Sequence, residues 1–532
     1  ALELAGKFKA VFADPKIEKT GQNLKFDIGV LKLYGIEVAG RLFDTMLAHY
    51  LIQPDMRHNM DVMAETYLDY RPISIEHLIG KKGKSQKSMR SVPLELATPY
   101  ACEDADITLQ LRHVFEPMLK EHKLLKLFDE IETPLVPVLA DMENEGVKID
   151  KEALDNYAGV LSENILSIEK EIYELAGTTF NIGSPKQLGE VLFDKLKISS
   201  KAKRTKTKQY STSEDVLSKL RNHHPIIEKI LDYRSLTKLK STYVEALPKL
   251  INKKTGRIHT SYNQAVAATG RLSSNNPNLQ NIPIRTEEGR LIRKAFVPRD
   301  DNHLLLAADY SQIELRIIAA LSEDEAMLKA FRNGVDIHTA TAAKVYEVEL
   351  NDVTKEMRRN AKTVNFGIVY GISAFGLSER LNIPRQDAAH IIEQYFKKYP
   401  GVKKYMDQNI AFAREHGYVS TILGRRRYIR DINSSNGVVR GYAERNAINA
   451  PVQGTAADMI KIAMIRTHKA MQKAGMKSKM TLQVHDELVF DALKEELDDL
   501  KSLVMENMQH ALDLPVPVVV EMNTGSNWLE AH

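Results

Sequence analysis

Residues 479–492 read KMTLQVHDELVFDA. Met480, Leu482 and Val484 fall on one parity, and Leu488 and Phe490 continue it, which is the pattern of a half-buried strand. Asp486 occupies a slot on that parity that should be apolar, between His485 and Glu487. A hairpin bend at this point would lift the carboxylate out of the alternation. Read alone, the bend is either an exposed acidic turn or half of a cation site.

A partner for Asp486 lies upstream in LLLAADYSQIELR, residues 304–316. An apolar run here predicts a buried strand, and Asp309 stands where that strand emerges. Reactive groups in sheets with covering helices often occupy such strand ends. The competing reading of Asp309 is a cap for the helix that follows. Two carboxylates from two strands can hold hard cations, and Mg²⁺ takes few carboxylates together with phosphate oxygens. Two-metal phosphoryl transfer uses that chemistry.

A third stretch is RRNAKTVNFGIVYG, residues 358–371. Arg358, Lys362, Phe366 and Tyr370 recur every four residues and make one slanting stripe on a helix. Two cations followed by two aromatic rings suit a nucleotide, with charge for phosphates and a flat ring for a base. A helix with a solvated basic end and a core aromatic end fits the same spacing.

Size and composition frame these segments. The 532 residues, 43% hydrophobic and 27% charged, suit several soluble globular domains. One cysteine, Cys102, permits no internal disulfide and fits a reducing cytosolic setting. No apolar run approaches the roughly 18 residues of a membrane span, and the first residues show no secretory leader pattern. The chain opens on Ala1 in mid-pattern, the mark of a piece of a longer protein. A net charge of +4 identifies no partner, but basic residues cluster in KKGKSQKSMR (81–90), KAKRTKTK (201–208) and GRRRYIR (424–430). Together they suit a polyanion held at several points; singly, each is a solvated loop. GKKGKS (80–85) is no phosphate loop, because position 78 is leucine where that motif needs glycine. The stretch 131–150, with two prolines and a glycine turn, predicts a hinge between domains, and residues 151–250 read as mostly helical.

In this order, DYSQIELR, RxxxKxxxFGxxYG and QVHDEL resemble the three polymerase motifs of family A DNA polymerases. TGRLSSNNPNLQNIPIR (269–285), DIHTATAAKVY (336–346), AERNAINAPVQGTAADMIK (443–461) and the terminal NWLEAH extend the resemblance over essentially the whole chain, in the arrangement of the large, Klenow-type bacterial fragment. The fold this implies is multidomain, α/β and α+β. It combines a right-hand polymerase (a palm with an antiparallel sheet, helical fingers and thumb) with an N-terminally truncated, RNase H-like 3′–5′ exonuclease domain. The implied segments are exonuclease-like 1–130, connector and thumb 131–265, palm 266–338, fingers 339–440 and palm again 441–532.

The resemblance also implies an activity: template-directed addition of dNMP to a primer 3′-OH with pyrophosphate release, in DNA replication and repair. Asp309, Asp486 and the Tyr310 backbone match the metal ligands for two Mg²⁺ ions, with Mn²⁺ able to substitute, and Glu487 matches a weaker or indirect ligand. Arg358, Lys362 and His338 match groups that grip the triphosphate, and Lys362 is the candidate to protonate the leaving pyrophosphate. Gln312 joins the nucleotide site. Phe366 stacks on the nucleotide, and Tyr370 and Gly371 end the fingers helix near the templating base. Phenylalanine at 366 resembles members that discriminate against dideoxynucleotides, and Glu314 matches the residue that crowds the 2′ position of the sugar.

Arg271, Arg445, Asn449, Gln453 and His485 match residues lining the minor groove at the primer terminus, where acceptors common to every correct pair can be read. Gln280 and Arg285 support the same region, and Lys206 and Lys208 sit at the thumb tip against duplex phosphates. Asp27, Tyr100 and Asp104 match exonuclease residues. The exonuclease's Asp-x-Glu motif is missing from the chain, so proofreading is expected to be inactive. The implied partners are primer–template DNA and dNTPs, with no membrane; the implied state is a monomer, cytoplasmic and nucleoid-associated in a bacterium.

Overall fold

The structure, a computed structural model, describes every residue except Ala1, Lys201 and Arg285, with the side chain of Leu2 also outside it. It divides into two compact units: Ala1–Glu145, Ser261–Asn275 and Ala307–Met522 form the first, and Gly146–Thr260, Asn276–Leu306 and Asn523–His532 the second.

The first unit contains the hairpin. Strand Lys479–Val484 pairs antiparallel with Glu487–Leu493. They belong to a four-stranded sheet in which Glu487–Leu493 neighbours strand His303–Tyr310, which in turn neighbours Val520–Gly525. The expectation of half-buried strands is corrected: Thr481, Gln483, Glu487, Val489 and Asp491 are buried along with Met480, Leu482, Leu488 and Phe490. Both faces are covered, so alternation of polar and apolar residues does not mark a wet face. The buried polar residues are bonded instead; the Thr481 hydroxyl donates to the Val489 carbonyl at 3.1 Å, and the Gln483 amide to the Tyr262 hydroxyl at 3.0 Å.

One helix, Gly437–Lys473, crosses this unit for 37 residues. Asn436 caps it by accepting from the Val438 and Val439 amides. It runs unbroken through GTAAD and past Pro451, which forfeits one hydrogen bond of the ladder. The helix of the nucleotide stripe, Lys355–Val369, is capped by Thr354, whose side chain accepts from the Met357 amide at 3.2 Å.

At the N-terminal end, short parallel strands Lys19–Gly21 and Leu42–Asp44 are packed by helices Leu24–Leu33, Thr45–Ile52 and Leu94–Glu121. The stretch 131–150, expected as a hinge between domains, is helical as far as Glu145, and the boundary between the two units falls inside it, between Glu145 and Gly146. Thr133–Glu145 is a helix that continues directly from the π-turn Phe128–Glu132, and it carries Pro134 and Pro137. Its Val136 and Ala140 enter the same core as Phe43, Phe115 and Phe128. The turn comes one residue later, at Gly146 with φ +65°.

Within this unit lies a fully buried ion cluster. Lys461 donates to Glu132 at 2.7 Å, Arg425 donates to Asp458 at 2.7 and 2.9 Å, and Arg425 also bonds Glu132. Burial pulls the Glu132 carboxyl upward, but Lys461 and Arg425 outweigh it and hold the group at about 2. Gln264 adds a hydrogen bond to the second Glu132 oxygen at 2.8 Å.

The second unit is mostly helical, as its sequence predicts. Lys151–Ala176 starts on Asp150, which accepts from the Ala153 amide, and stops at Gly177 in the left-handed region. Ile172, Leu188, Ile227 and Ile230 share its core. The basic stretch forms a small hairpin: the Thr205 amide donates to the Gln209 carbonyl at 2.8 Å, and Arg204 lies 4.1 Å over the Tyr210 ring. Lys206 and Lys208 are exposed on it. Trp528 of NWLEAH is fully buried, stacked by Arg293 at 4.1 Å.

The ion cluster yields a stability prediction. Glu132→Gln leaves a surplus of buried positive charge, so it should lower the unfolding free energy by about 3–5 kcal/mol. Urea unfolding measures this, and a loss below about 1 kcal/mol would show that the cluster is not a stabilising lock.

Candidate active site

Asp486 lies in a two-residue turn whose flanking pair is Val484 opposite Glu487. His485 makes the turn with φ +54°, a left-handed value that histidine tolerates better than most side chains. The Gln483 side chain donates to the His485 carbonyl at 2.6 Å and braces this conformation. The Tyr310 amide donates to the Asp486 carbonyl at 3.2 Å, so the end of strand His303–Tyr310 abuts the turn. Asp309 and Asp486 are thus delivered side by side, from strands distant in sequence. Asp309 is half-buried at its strand end, and Glu487 is buried within its strand.

Burial raises the Asp486 carboxyl to about 6; Arg271 offsets part of this and Glu314 adds to it. A carboxylate that is costly to ionise alone is suited to a cation. Among the described residues no three His, Cys, Asp or Glu groups converge as a metal-holding set. Two carboxylates leave most positions of an octahedral ion to other oxygens, as Mg²⁺ at phosphate sites requires.

Glu314 is buried, 6% exposed, and gripped from two sides. Arg271 donates to one carboxylate oxygen at 2.7 Å and the Tyr370 hydroxyl to the other at 2.8 Å. Burial, then the Glu314 charge, pushes the Tyr370 phenol up to about 12, while a hydrogen bond with Gln453 acts the opposite way. Tyr370 terminates the helix Lys355–Val369 as its C-cap, so the four-residue stripe is three helical positions and a cap. At the next residue, Gly371, a Cβ would stand 2.7 Å from Arg445 Cγ, and φ is +66°. Only glycine lets this turn close onto the long helix. Arg271, Glu314, Tyr370, Gly371, Arg445 and Gln453 therefore meet in one place. Asn449, one turn from both Arg445 and Gln453 on the long helix, has a buried carbonyl oxygen with no partner among the described residues.

The basic end of the stripe is arranged around a residue the sequence reading passed over. Asp336 accepts from Arg358 Nε at 2.9 Å and from its terminal nitrogen at 3.1 Å. It also caps helix Ile337–Tyr346 through Thr339 and takes a 3.4 Å bond from Gln312. Burial acts upward on the carboxyl, yet Arg358 and Thr339 hold it at about 2. His338 is buried, its Nδ1 3.0 Å from Asn365, and its ring lies 5.7 Å from that of Phe366. Burial lowers His338 to about 4, so it is neutral at pH 7. Lys362 is exposed one helical turn from Arg358. The signal that could have revealed Asp336 is local: an acid opening DIHTATA in cap position ahead of the helix that carries Arg358.

The remaining expected residues lie elsewhere. Gln280, Lys206 and Lys208 belong to the second unit, and Arg285 lies outside the described residues. Asp27 is exposed on helix Leu24–Leu33, while Tyr100 and Asp104 lie one turn apart on helix Leu94–Glu121.

The profile of DNA polymerase family A matches residues 151–530, and that of a 3′–5′ exonuclease matches residues 2–120. DNA polymerase I of Pseudomonas aeruginosa is 48% identical over 529 residues, 98% of this chain and 58% of that protein. DNA polymerase I of Geobacillus stearothermophilus is 48% identical over 527 residues, 99% of this chain and 59% of that protein. The chain thus spans less than two thirds of these relatives' length. A solved polymerase domain of Pol1 from M. smegmatis, in complex with DNA primer–template and dNTP, superposes with a TM-score of 0.90 at 39% identity, covering 99% of this chain and 88% of that one. With the polymerase profile over most of its length, this chain belongs to DNA polymerase family A.

Proposed function

We propose that the chain is a DNA-directed DNA polymerase that extends a primer on a template with dNTPs. The observation that carries this reading is the abutment of Asp309 and Asp486 beside the Arg271–Glu314–Tyr370 cluster. Two Mg²⁺ ions held by Asp309, Asp486 and the Tyr310 carbonyl would ease ionisation of the primer 3′-OH and neutralise charge on the α-phosphate and the pyrophosphate. Arg358 and Lys362 bind the triphosphate, and Lys362 donates a proton to the leaving pyrophosphate. Neutral His338 donates a hydrogen bond and adds no charge. Phe366 stacks on the base. Glu314, fixed by Arg271 and Tyr370, fills the space beside the sugar 2′ carbon. Arg445, Asn449, Gln453, Arg271 and His485 check the minor groove at the primer end.

The finer segments, palm, fingers, thumb and exonuclease-like region, keep the boundaries given by sequence. The thumb lysines Lys206 and Lys208 bind duplex phosphates, with Gln280 and Arg285 supporting the primer end. Monomeric action on nucleoid DNA completes the reading; among the described residues no helix is long and apolar enough to cross a membrane. Proofreading is absent from this chain. That part rests on the lack of any Asp-x-Glu in residues 1–130 and on Asp27 lying exposed on a helix separate from that of Asp104.

Primer extension tests the central claim: Asp309→Asn and Asp486→Asn should each cut the rate by at least about 10³-fold while DNA binding stays within a few-fold. Near-normal extension by either variant would sink the metal-pair assignment. For the exonuclease reading, a labelled primer with a 3′ mismatch should stay intact with the wild-type protein and Mg²⁺. Rapid shortening that Asp104→Ala abolishes would reverse it.

A pH prediction follows from Asp486. Its folded value, about 6, lies above the ordinary 3.8, so its contribution to stability is complete below pH 3.8 and is lost as pH rises through 6. In metal-free protein at pH 8, Asp486→Asn should therefore raise the unfolding free energy by roughly 2 kcal/mol, discounted for the solvent that still reaches the group. The gain should shrink as pH falls from 6 toward 4. A gain that is absent at pH 8, or constant with pH, would refute the raised value.

A further inference from the structure

Tyr50 lies in helix Thr45–Ile52, inside the stretch that matches the exonuclease profile, and is 1% exposed. Its hydroxyl leaves that stretch and donates to the Ala267 carbonyl at 2.6 Å. The same carbonyl accepts from the Gly270 amide at 3.0 Å, closing a four-residue turn. The hydroxyl thus engages the carbonyl that closes the turn 267–270.

Two more groups press on that turn. Arg425, immobilised in the ion cluster with Glu132 and Asp458, runs beneath Gly270: a Cβ there would meet Arg425 Nε at 2.6 Å, and φ is +87°. On another side Gly454 of the long helix lets the Thr269 carbonyl approach to 3.1 Å of where its Cβ would be. The residue that leaves this turn is Arg271, whose guanidinium grips Glu314 at 2.7 Å and acts on the charge of Asp486.

We propose that Tyr50 and Arg425 are positioning residues for sugar selection. They fix the turn 267–270, the turn aims Arg271, and Arg271 holds Glu314 where it meets the 2′ carbon of the incoming nucleotide. The exonuclease-like stretch thereby contributes to the polymerase site without chemistry of its own. This inference rests on the polymerase reading and on Glu314 as the sugar gate. Arg271 has one torsional anchor, its own backbone, and a guanidinium about 7 Å from it. A small tilt of the turn is therefore amplified at Glu314. Core packing alone would need only the tyrosine ring, not its hydroxyl.

The test uses the whole chain and single-nucleotide insertion with matched dNTP and rNTP. Tyr50→Phe keeps the ring and removes the hydroxyl. The ratio of kcat/KM for dNTP over rNTP should fall about 3–10-fold, with Tm within a few degrees of wild type. Gly270→Ala, which pushes the turn off Arg425, should lower the ratio in the same direction and decides independently. In a Glu314→Ala background the Tyr50→Phe change should add nothing to the ratio, because its route is gone. A ratio within twofold of wild type in both folded single variants would overturn the proposal, as would a full, additive effect without Glu314. Failure of the underlying polymerase reading would be evident separately, as wild-type protein that extends no primer.

Discussion

Four buried charges, Glu132, Arg425, Asp458 and Lys461, constrain most of what surrounds the site. Each ion loses its hydration on burial, at several kcal/mol, and only close pairing with further hydrogen bonds repays it. Two positive and two negative groups sum to neutrality. They come from three places: the end of the segment before helix Thr133–Glu145, the loop ahead of strand Arg426–Tyr428, and the long helix. Because a broken pair would strand a charge in the interior, these elements have little freedom to slide. Thr421 extends the lock by donating to Asp458 at 2.9 Å. A single rigid block results, and the long helix that carries Arg445, Asn449 and Gln453 is anchored in it at Asp458 and Lys461.

The reactive end is built in the opposite manner, from a turn too short to relax. Two residues join the strands of the hairpin, and one must take a positive φ. His485 takes it and Asp486 follows, so the carboxylate emerges at a fixed distance from the strand pair. Both faces of the hairpin are buried and a bulge near Thr481 fixes its register. A register slip would move Asp486 off the end of strand His303–Tyr310. Backbone geometry, not side-chain flexibility, sets the spacing of the two acids.

The sequence makes the candidate site residues legible because each sits in a contiguous stretch with its own periodicity. Asp309 ends an apolar strand, Asp486 interrupts one, and Arg358, Lys362 and Phe366 repeat at helical spacing. Residues that act through distant partners leave no such trace. Tyr50 reads as one more apolar helix position, and nothing near Glu132 announces Arg425, which is 293 residues away. Asp336 looks like a helix cap, which it is; that it also holds Arg358 is visible only when two helices are brought together. The two misreadings have physical causes as well. Prolines at 134 and 137 suggested a break along 131–150, but a π-turn at Phe128–Glu132 precedes them in one continuous helix, and the turn is confined to Gly146. Alternation in the hairpin suggested a wet face, but that face is covered and its polar groups are bonded internally.

The paired state of the site bears on how it would discriminate among ligands. Arg358 is satisfied by Asp336, and Arg271 and Tyr370 are satisfied by Glu314. A nucleotide competing for Arg358 must offer more than one carboxylate does, and a triphosphate with its metal does so where a base or nucleoside cannot. Glu314 differs, since both of its oxygens are already engaged and it is nearly inaccessible to water. A 2′-hydroxyl approaching it would have to displace a charge-assisted bond from Arg271 or the tyrosine hydroxyl, and it returns a weaker neutral one. Exclusion of ribose on this reading comes from the cost of breaking an existing network as much as from lack of space. The network can exact that cost only while Arg271 is held still, so selectivity at the sugar depends on the rigidity of a turn that never touches the substrate.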